Sequence, residues 1–298
     1  MYASAFDYVR VSSWAEAVAQ LQELGDEAHV IAGGQSLVPM MMLHYAVPSA
    51  LIDIGGVDER TIELADDGSL VLSALVRHVD LQHSDVVARH TPMLTQAVRQ
   101  IGNVRVRQRG TIGGSLAHGE SAAELPCVLI AHGADVQTLG PDGERTIAVD
   151  DLPVMQLMTT LGEGELITQV RVPGLTARQG SCFIEMARRP GDFAMVNAAA
   201  IVSTDDGGMC TAVRLVLGAV GRRPVDVSEA AQPLLGHAID EESTEAVAAA
   251  IAADAEVTPS SHAGVEYRRE MAAVQLARAL RGAAADAARR RSGTEVVV

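Results

Sequence analysis

The spacing of apolar residues in the first part of the chain predicts short strands separated by turns and helices. Apolar runs bounded by glycine, proline or acidic residues are typical of strands in a sheet. Asp66-Asp67-Gly68 and Gly140-Pro141-Asp142-Gly143 each lie between two such runs and predict hairpins. The predicted strands of this part are Ala28–Ala32, Ala50–Ile54, Thr61–Leu64, Leu70–Leu75, Val136–Leu139, Thr146–Val149 and Leu166–Val172.

Capping residues mark where helices begin. Ser13 with Glu16 fits a capping box and predicts a helix over residues 14–24, which Gly25 ends. Ser121 with Glu124 fits a second capping box. The further predicted helices span residues 92–102, 229–235, 242–253 and 265–290.

A proline-glycine stop divides the chain. Pro173-Gly174 ends the strand at 166–172, and the polar stretch that follows predicts a domain boundary. Strands near 181–186, 194–203 and 211–220 come next. The predicted units are residues 1–176, with subdomains of about 1–57 and 58–176, residues 177–290, and a flexible tail at 291–298. Because most strands are joined through hairpins, the fold class is predicted to be α+β.

Charge narrows the possible partners. The chain has 298 residues and a net charge of -15, which argues against nucleic acid and anionic membranes. No apolar run is long enough for a membrane span, and the first residues lack the pattern of a signal peptide. We therefore expect a cytoplasmic protein without a membrane span.

Metal and hydrolytic chemistry find no support in the sequence. Cys127, Cys182 and Cys210 form no Cys-x-x-Cys pair, and the nine histidines show no metal-binding spacing. No Ser/His/Asp nucleophile set is evident either. We therefore expect no metal site and no hydrolase site on this chain.

Two Gly-Gly turns are the main candidates for a binding site. Gly33-Gly34 and Gly113-Gly114 are each predicted to form a turn that emerges from an apolar strand. Glycines let the backbone approach a ligand closely, and successive exposed N–H groups can cradle a phosphate. Two cradles suit a ligand with two adjacent phosphates, such as a dinucleotide. Two tight turns without a ligand are the alternative reading.

Four segments resemble the FAD-binding medium subunit of molybdenum hydroxylases, the family of xanthine dehydrogenase and carbon monoxide dehydrogenase. They are residues 32–41, 111–118, 121–126 and 183–194. The resemblance implies an FAD-binding domain of the vanillyl-alcohol-oxidase or PCMH type, made of two α/β subdomains. It also implies a smaller C-terminal α+β domain like that of carbon monoxide dehydrogenase flavoproteins.

The same resemblance implies a division of labour between subunits. Substrate would be oxidised at a molybdenum cofactor on a large molybdopterin-binding subunit. Electrons would pass through two [2Fe–2S] clusters on a small iron–sulfur subunit to FAD on this chain, and from there to an external acceptor. The implied assembly is a dimer of heterotrimers, that is, a heterohexamer.

The site residues follow from the resemblance as well. The first loop would hold part of the FAD pyrophosphate, and the second loop the other part and the ribityl chain. Because Gln35 stands where some relatives have a flavin-linked histidine, we expect non-covalent FAD. The implied cofactor-binding residues are Ala32, Gly33, Gly34, Gln35, Ser36, Leu37, Thr111, Ile112, Gly113, Gly114, Ser115, His118, Glu124, Leu166, Ile167, Arg188, Asp192 and Phe193.

Several alternatives stay open. His118 either tunes the flavin or is a structural histidine. Arg105, Arg107 and Arg109 either face a pyrophosphate or a cluster-bearing partner, or lie along a solvated strand edge. A stand-alone FAD-dependent oxidase or reductase is a second possible function, and a cofactor-free scaffold subunit is a third.

Overall fold

Three sheets of three or more strands organise the chain in the computed structural model, which describes residues 2–293. The first sheet is parallel, with strand order β1-β3-β2. Its helices make the crossovers that parallel strands require, where the sequence pattern predicted mostly hairpins. In chain order its elements are β1 (Asp7–Arg10), α1 (Trp14–Leu24), β2 (Ala28–Ile31), α2 (Leu37–Met42) and β3 (Ala50–Asp53).

The predicted start and end of α1 are confirmed. The Ser13 hydroxyl accepts a 3.2 Å hydrogen bond from the amide of Glu16. Gly25 ends the helix with φ 73°, a conformation that suits glycine. The Glu16 carboxylate accepts from the amide of Ser12 at 2.7 Å, so the reciprocal half of the capping box lies one residue earlier than predicted.

The second sheet is antiparallel, with strand order β4-β5-β10-β6-β7. Both predicted hairpins are confirmed, and so are the bounds of the strand at 166–172. A run of six helices is inserted between two of its strands. In chain order the elements are β4 (Ile62–Leu64), β5 (Leu70–Ser73), α3 (His78–His83), α4 (Asp85–His90), α5 (Pro92–Gln100), α6 (Val104–Arg109), α7 (Ile112–His118), α8 (Glu124–His132), β6 (Asp135–Gly140), β7 (Gly143–Ala148), β8 (Pro153–Met155), β9 (Met158–Thr159) and β10 (Leu166–Val172).

Two expectations about these helices were wrong. Ser121 does not cap α8: the N-cap residue is Ala123, whose side chain has no polar atom, and the Ser121 hydroxyl donates to Glu120 instead. The arginines of 105–109 belong to helix α6 and not to a strand edge. Asn103 starts that helix by accepting hydrogen bonds from the amides of Arg105 and Val106.

The third sheet is antiparallel and carries the last two long helices on one face. Its predicted strands are confirmed, but the predicted helix at 229–235 is a 3₁₀ segment, Glu229–Leu234, with Pro233 inside it. Proline lacks the N–H that an α-helix would need there. The other elements are β11 (Gln179–Ala187), β12 (Ala194–Thr204), β13 (Cys210–Gly218), β14 (Val225–Asp226), α9 (Glu241–Asp254) and α10 (Val265–Arg291).

Side chains alternate between the two faces of strand β12. Ala199 and Ile201 join the first buried cluster, which includes α8 and the second sheet. Ala198, Ala200 and Val202 join a second cluster with α9 and α10. Because the first cluster crosses residue 176, the domain division at that position stays a prediction. Of the predicted flexible tail, residues 294–298 lie outside the described residues, and Arg291 belongs to α10.

The described part of the chain contains no candidate membrane-spanning helix. Across residues 2–293, every helix is too short or too polar to cross a bilayer.

We predict that Gly180→Ala destabilises the third sheet. A methyl group at Gly180 would overlap the amide of Ala287 and the carbonyl of Ala283 on α10. Backbone atoms cannot yield locally, so we expect a loss of about 3 kcal/mol or more in unfolding free energy. Denaturant unfolding would measure it. Gly264→Ala is the control, because a methyl group there meets no atom of the described residues within 4 Å; equal stability of the two variants would contradict this packing.

Candidate functional site

A cavity of about 630 Å³ lies between the first and second sheets. Its volume is in the range of cofactor and ligand pockets. Both glycine loops open into it, although they are 80 residues apart in sequence. The predicted site residues that line it are Ala32, Gly33, Gly34, Gln35, Ser36, Leu37, Thr111, Gly113, Gly114, Ser115, His118, Glu124, Leu166, Ile167, Asp192 and Phe193.

Two predicted site residues lie elsewhere. Ile112 is fully buried and packs in the core below the second loop. Arg188 lines a neighbouring cavity of about 880 Å³, which shares Asp192 and Phe193 with the first one. The segment at 191–193 therefore separates the two cavities.

The first glycine loop presents unused backbone donors to the cavity. Among residues 2–293, the amides of Gly33, Gly34, Gln35 and Ser36 donate no hydrogen bond to another protein group. Gly34 has φ 71°, which turns the chain there, and the Gln35 side chain donates to the carbonyl of Gly33 at 3.1 Å. Consecutive free amides in a cavity wall are a site for an anion.

The second glycine pair does not form a turn after a strand, as expected, because Gly113 and Gly114 lie in the first turn of helix α7, which follows helix α6. The amides of this loop are largely used inside the protein: Ile112 donates to Val76 at 3.1 Å, and Gly113 donates to Ala74 at 2.9 Å. The amide of Gly114 donates to the Thr111 hydroxyl at 3.1 Å, which caps α7. The second loop is thus not the cradle of free amides that the glycine pair suggested, and it offers hydroxyls and close approach instead.

The two loops touch through their backbones. A Cβ at Gly33 would overlap the carbonyl oxygen of Arg109 and crowd Gly110. A Cβ at Gly113 would lie 2.5 Å from that of Ala74. Gly33 therefore allows the two loops to approach each other closely, and Gly113 allows the second loop to approach the segment after β5.

His78 is a site residue that the sequence reasoning missed. It is buried at the start of α3, and its Nε2 lies 3.1 Å from both the carbonyl of Thr111 and the hydroxyl of Ser115. Burial lowers the pKa of His78 to about 4, so the ring is neutral at neutral pH. A single histidine beside Arg77 gives no motif, so no sequence signal could have identified it.

Glu124 is a buried acid in the cavity wall. It begins α8 and is 5% exposed. Burial, with the charge of Glu185 as a second cause, raises the pKa of Glu124 to about 8. Burial likewise raises the pKa of Glu185 to about 7, and its Oε2 has no partner among the described residues. Glu124 is therefore protonated at neutral pH and can donate a hydrogen bond into the cavity.

The far end of the cavity combines apolar and ionic groups. Leu166 and Ile167 of β10 are buried and give an apolar wall. Asp192 pairs with Arg189 and Arg188, at 3.2 Å and 3.3 Å, and these bonds lower its pKa. The Phe193 ring is 64% exposed, so it can cover a planar ligand.

His118 and the arginines of α6 differ in their relation to the cavity. His118 lines the cavity at the last turn of α7, and burial lowers its pKa. The side chains of Arg105, Arg107 and Arg109 are absent from the lining, which does not support contact with a pyrophosphate. Arg107 instead donates to the carbonyls of Ile101 and Gly102 at 2.9 Å and 3.3 Å.

Comparison with known proteins agrees with this geometry. Residues 4–175 match the family described as FAD binding domain in molybdopterin dehydrogenase, and residues 181–283 match the CO dehydrogenase flavoprotein C-terminal domain. The chain is 36% identical to subunit alpha of the 6-hydroxypseudooxynicotine dehydrogenase complex of Paenarthrobacter nicotinovorans, covering 92% of this chain and 93% of the relative.

Carbon monoxide dehydrogenases give the same picture. The medium chain from Afipia carboxidovorans is 33% identical, covering 96% of this chain and 99% of the relative. A solved structure of the Hydrogenophaga pseudoflava enzyme lacking the Mo-pyranopterin moiety superposes with a TM-score of 0.92 at 35% identity, covering 96% of this chain and 99% of that chain. The chain therefore belongs to the family of FAD-binding medium subunits of the molybdenum hydroxylases, and is an oxidoreductase subunit.

Proposed function

We propose that this chain binds FAD non-covalently in the cavity between its glycine loops and acts as the electron-transfer subunit of a molybdenum hydroxylase. The four free amides of the first loop carry the proposal, because they leave a row of donors that a pyrophosphate would satisfy. Gln35 has no nucleophilic side chain, and its amide group is engaged with its own loop.

The remaining wall fits the other parts of such a cofactor. Glu124 would donate a hydrogen bond to the polyol region, and the apolar side chains of Leu166 and Ile167 would lie against the ring. Asp192 and Phe193 would lie at the redox edge, and Arg188, outside this cavity, would act there only through its ion pair with Asp192. FAD, when bound, accepts and passes on electrons one or two at a time. The protein's part is to position the ring and to set its surroundings.

The proposed partners follow from the relatives. Carbon monoxide dehydrogenases, to which the chain is similar, are assemblies in which its relative is the medium chain. We propose a large molybdopterin-binding subunit, a small subunit with two [2Fe–2S] clusters, and a dimer of heterotrimers. The three free cysteines of the chain suit the reducing cytoplasm, where we place the complex.

The source of the electrons that reduce the flavin distinguishes this function from that of a stand-alone oxidase. The FAD-loaded chain is mixed without oxygen with a chemically reduced iron–sulfur subunit, and separately with small reducing substrates of molybdenum hydroxylases. We expect the flavin absorption band to bleach with the reduced partner and to persist with the substrates alone. Bleaching and turnover with a substrate alone would favour the oxidase, and no bound flavin at all would favour the scaffold.

Ser115 should donate a hydrogen bond to the cofactor. The Thr111 carbonyl can only accept, so Nε2 of His78 carries the proton and the Ser115 oxygen accepts from it. The Ser115 hydrogen is thereby left to point into the cavity. Loss of one hydrogen bond to a charged group predicts that Ser115→Ala weakens FAD binding about tenfold or more.

A double-mutant cycle tests the role of His78. We expect His78→Phe to weaken FAD binding in the wild-type background and to have little further effect in Ser115→Ala, measured by titration of the apo-protein. His78→Gln, which restores an N–H, should recover part of the affinity. Additive effects of the two substitutions would contradict the orientation of Ser115 by His78.

Glu124 should make the stability of the apo-protein depend on pH. Its pKa is about 8 when folded against an ordinary 4.5, so the folded chain holds a proton that the unfolded chain releases between these values. The unfolding free energy therefore falls as pH rises through this window. We expect wild type to lose about 2–4 kcal/mol more than Glu124→Gln between pH values of about 5 and 8. Parallel curves for the two proteins would show that Glu124 is ionised when folded.

A further inference from the structure

Helix α6 forms part of the cavity wall. The helix and the residue before its cap contact segments at both ends of the cavity. Gly102, just before the helix, and Val106 line the cavity. The carbonyl of Arg109, at its last residue, abuts Gly33 of the first loop. At the other end, a Cβ on Gly191 would lie 2.7 Å from the carbonyl of Gly102. The helix thus spans the wall from the first loop to the segment at the redox edge.

The outer face of α6 is exposed and basic. The helix has no buried residue, and Val104 is 60% exposed in its first turn. Arg105 and Arg109 are exposed as well. The guanidinium of Arg77 donates to the carbonyl of Arg109, which brings a third arginine to the same place.

Arg60 completes a cluster of like charges. We name Arg60, Arg77, Arg105 and Arg109 the arginine surface. Within residues 2–293, none of the four has a carboxylate oxygen within 4.0 Å, although eleven other arginines of the described chain form ion pairs. Burial, followed by the charges of Arg60 and Arg109, lowers the pKa of Arg77, and the smaller opposing effects of Asp80 and Asp53 do not reverse this shift.

An anion from outside the chain would relieve this repulsion. The four side chains are absent from the lining of the cavity, so a cofactor held there does not supply the anion. The chain as a whole carries a net charge of -15, which disfavours nucleic acid as the source of this anion. Charge complementarity therefore favours a protein with an acidic face.

We propose that the arginine surface docks an acidic face of the small iron–sulfur subunit, with Val104 as an apolar contact within it. The proposal rests on the function proposed above, because it assigns the electron donor to this face. Electron tunnelling weakens steeply with distance, and α6 is a single helix between the partner and the cavity. A partner on this surface would therefore bring its cluster close to the flavin.

Charge removal tests the surface without touching the cavity. The variant Arg105→Gln/Arg109→Gln keeps the backbone contact to Gly33. Its affinity for the iron–sulfur subunit is measured by titration of the FAD-loaded chain at low and high salt. We expect binding about tenfold weaker at low salt and nearly equal to wild type at about 0.5 M salt. Arg278→Gln, an exposed arginine on α10, is the matched control and should bind like wild type.

The results of this experiment distinguish failure of the docking surface from failure of the proposed flavin function. Wild-type affinity in both the double variant and Arg105→Glu/Arg109→Glu would overturn the docking surface while leaving the flavin function intact. Weakened FAD binding with intact assembly would assign the arginines to the cofactor and also overturn it. If the double variant lost affinity only for the molybdopterin subunit, the arginine surface would bind that subunit, and docking of the iron–sulfur subunit there would be overturned. Absence of flavin from the wild-type chain would instead refute the proposed function itself.

Discussion

The contact between Gly33 and the backbone of Arg109 and Gly110 is the constraint on which the site depends. It joins a loop that follows a parallel strand to a loop that precedes α7, and so fixes the width of the cavity between two sheets. No other residue fits at Gly33, because any Cβ would overlap a backbone carbonyl. The same contact places α6 against the first loop, so the cavity and the basic outer face of α6 are held by one junction.

The two glycine loops contribute different polar groups to the cavity. The first leaves its amides free, and the second uses its amides to attach α7 to the segment at 74–76. Free donors in one wall and fixed hydroxyls in the other give a cavity whose polar groups are oriented before any ligand enters. His78 and Glu124, both buried and both neutral at neutral pH, hold protons at defined atoms around this cavity. Neutral buried donors avoid the cost of an unpaired buried charge.

Much of the fold could be predicted because local patterns and tertiary packing agree in it. Both hairpins have turn residues between two apolar runs, and α1 has a cap at each end. Helices α3, α4, α6 and α7 were missed because each has six or seven residues, too few to show a period. The alternating arginines of α6 are compatible with a strand edge in the sequence alone. In the structure, the hydrogen bonds that Asn103 accepts start a helix there. His78 and the amide pairing of the second loop depend on contacts across more than 30 residues, which one sequence does not display.

The most direct measurement is the visible spectrum of the purified wild-type chain, with identification of the cofactor released by acid. We expect flavin absorption bands and one releasable FAD per chain, with no flavin left attached to the precipitated protein. A chain that stays colourless after incubation with FAD and its partner subunits would contradict FAD binding in this cavity, since the free amides of the first loop would then hold no cofactor. Flavin that remains attached to the precipitate would contradict non-covalent binding.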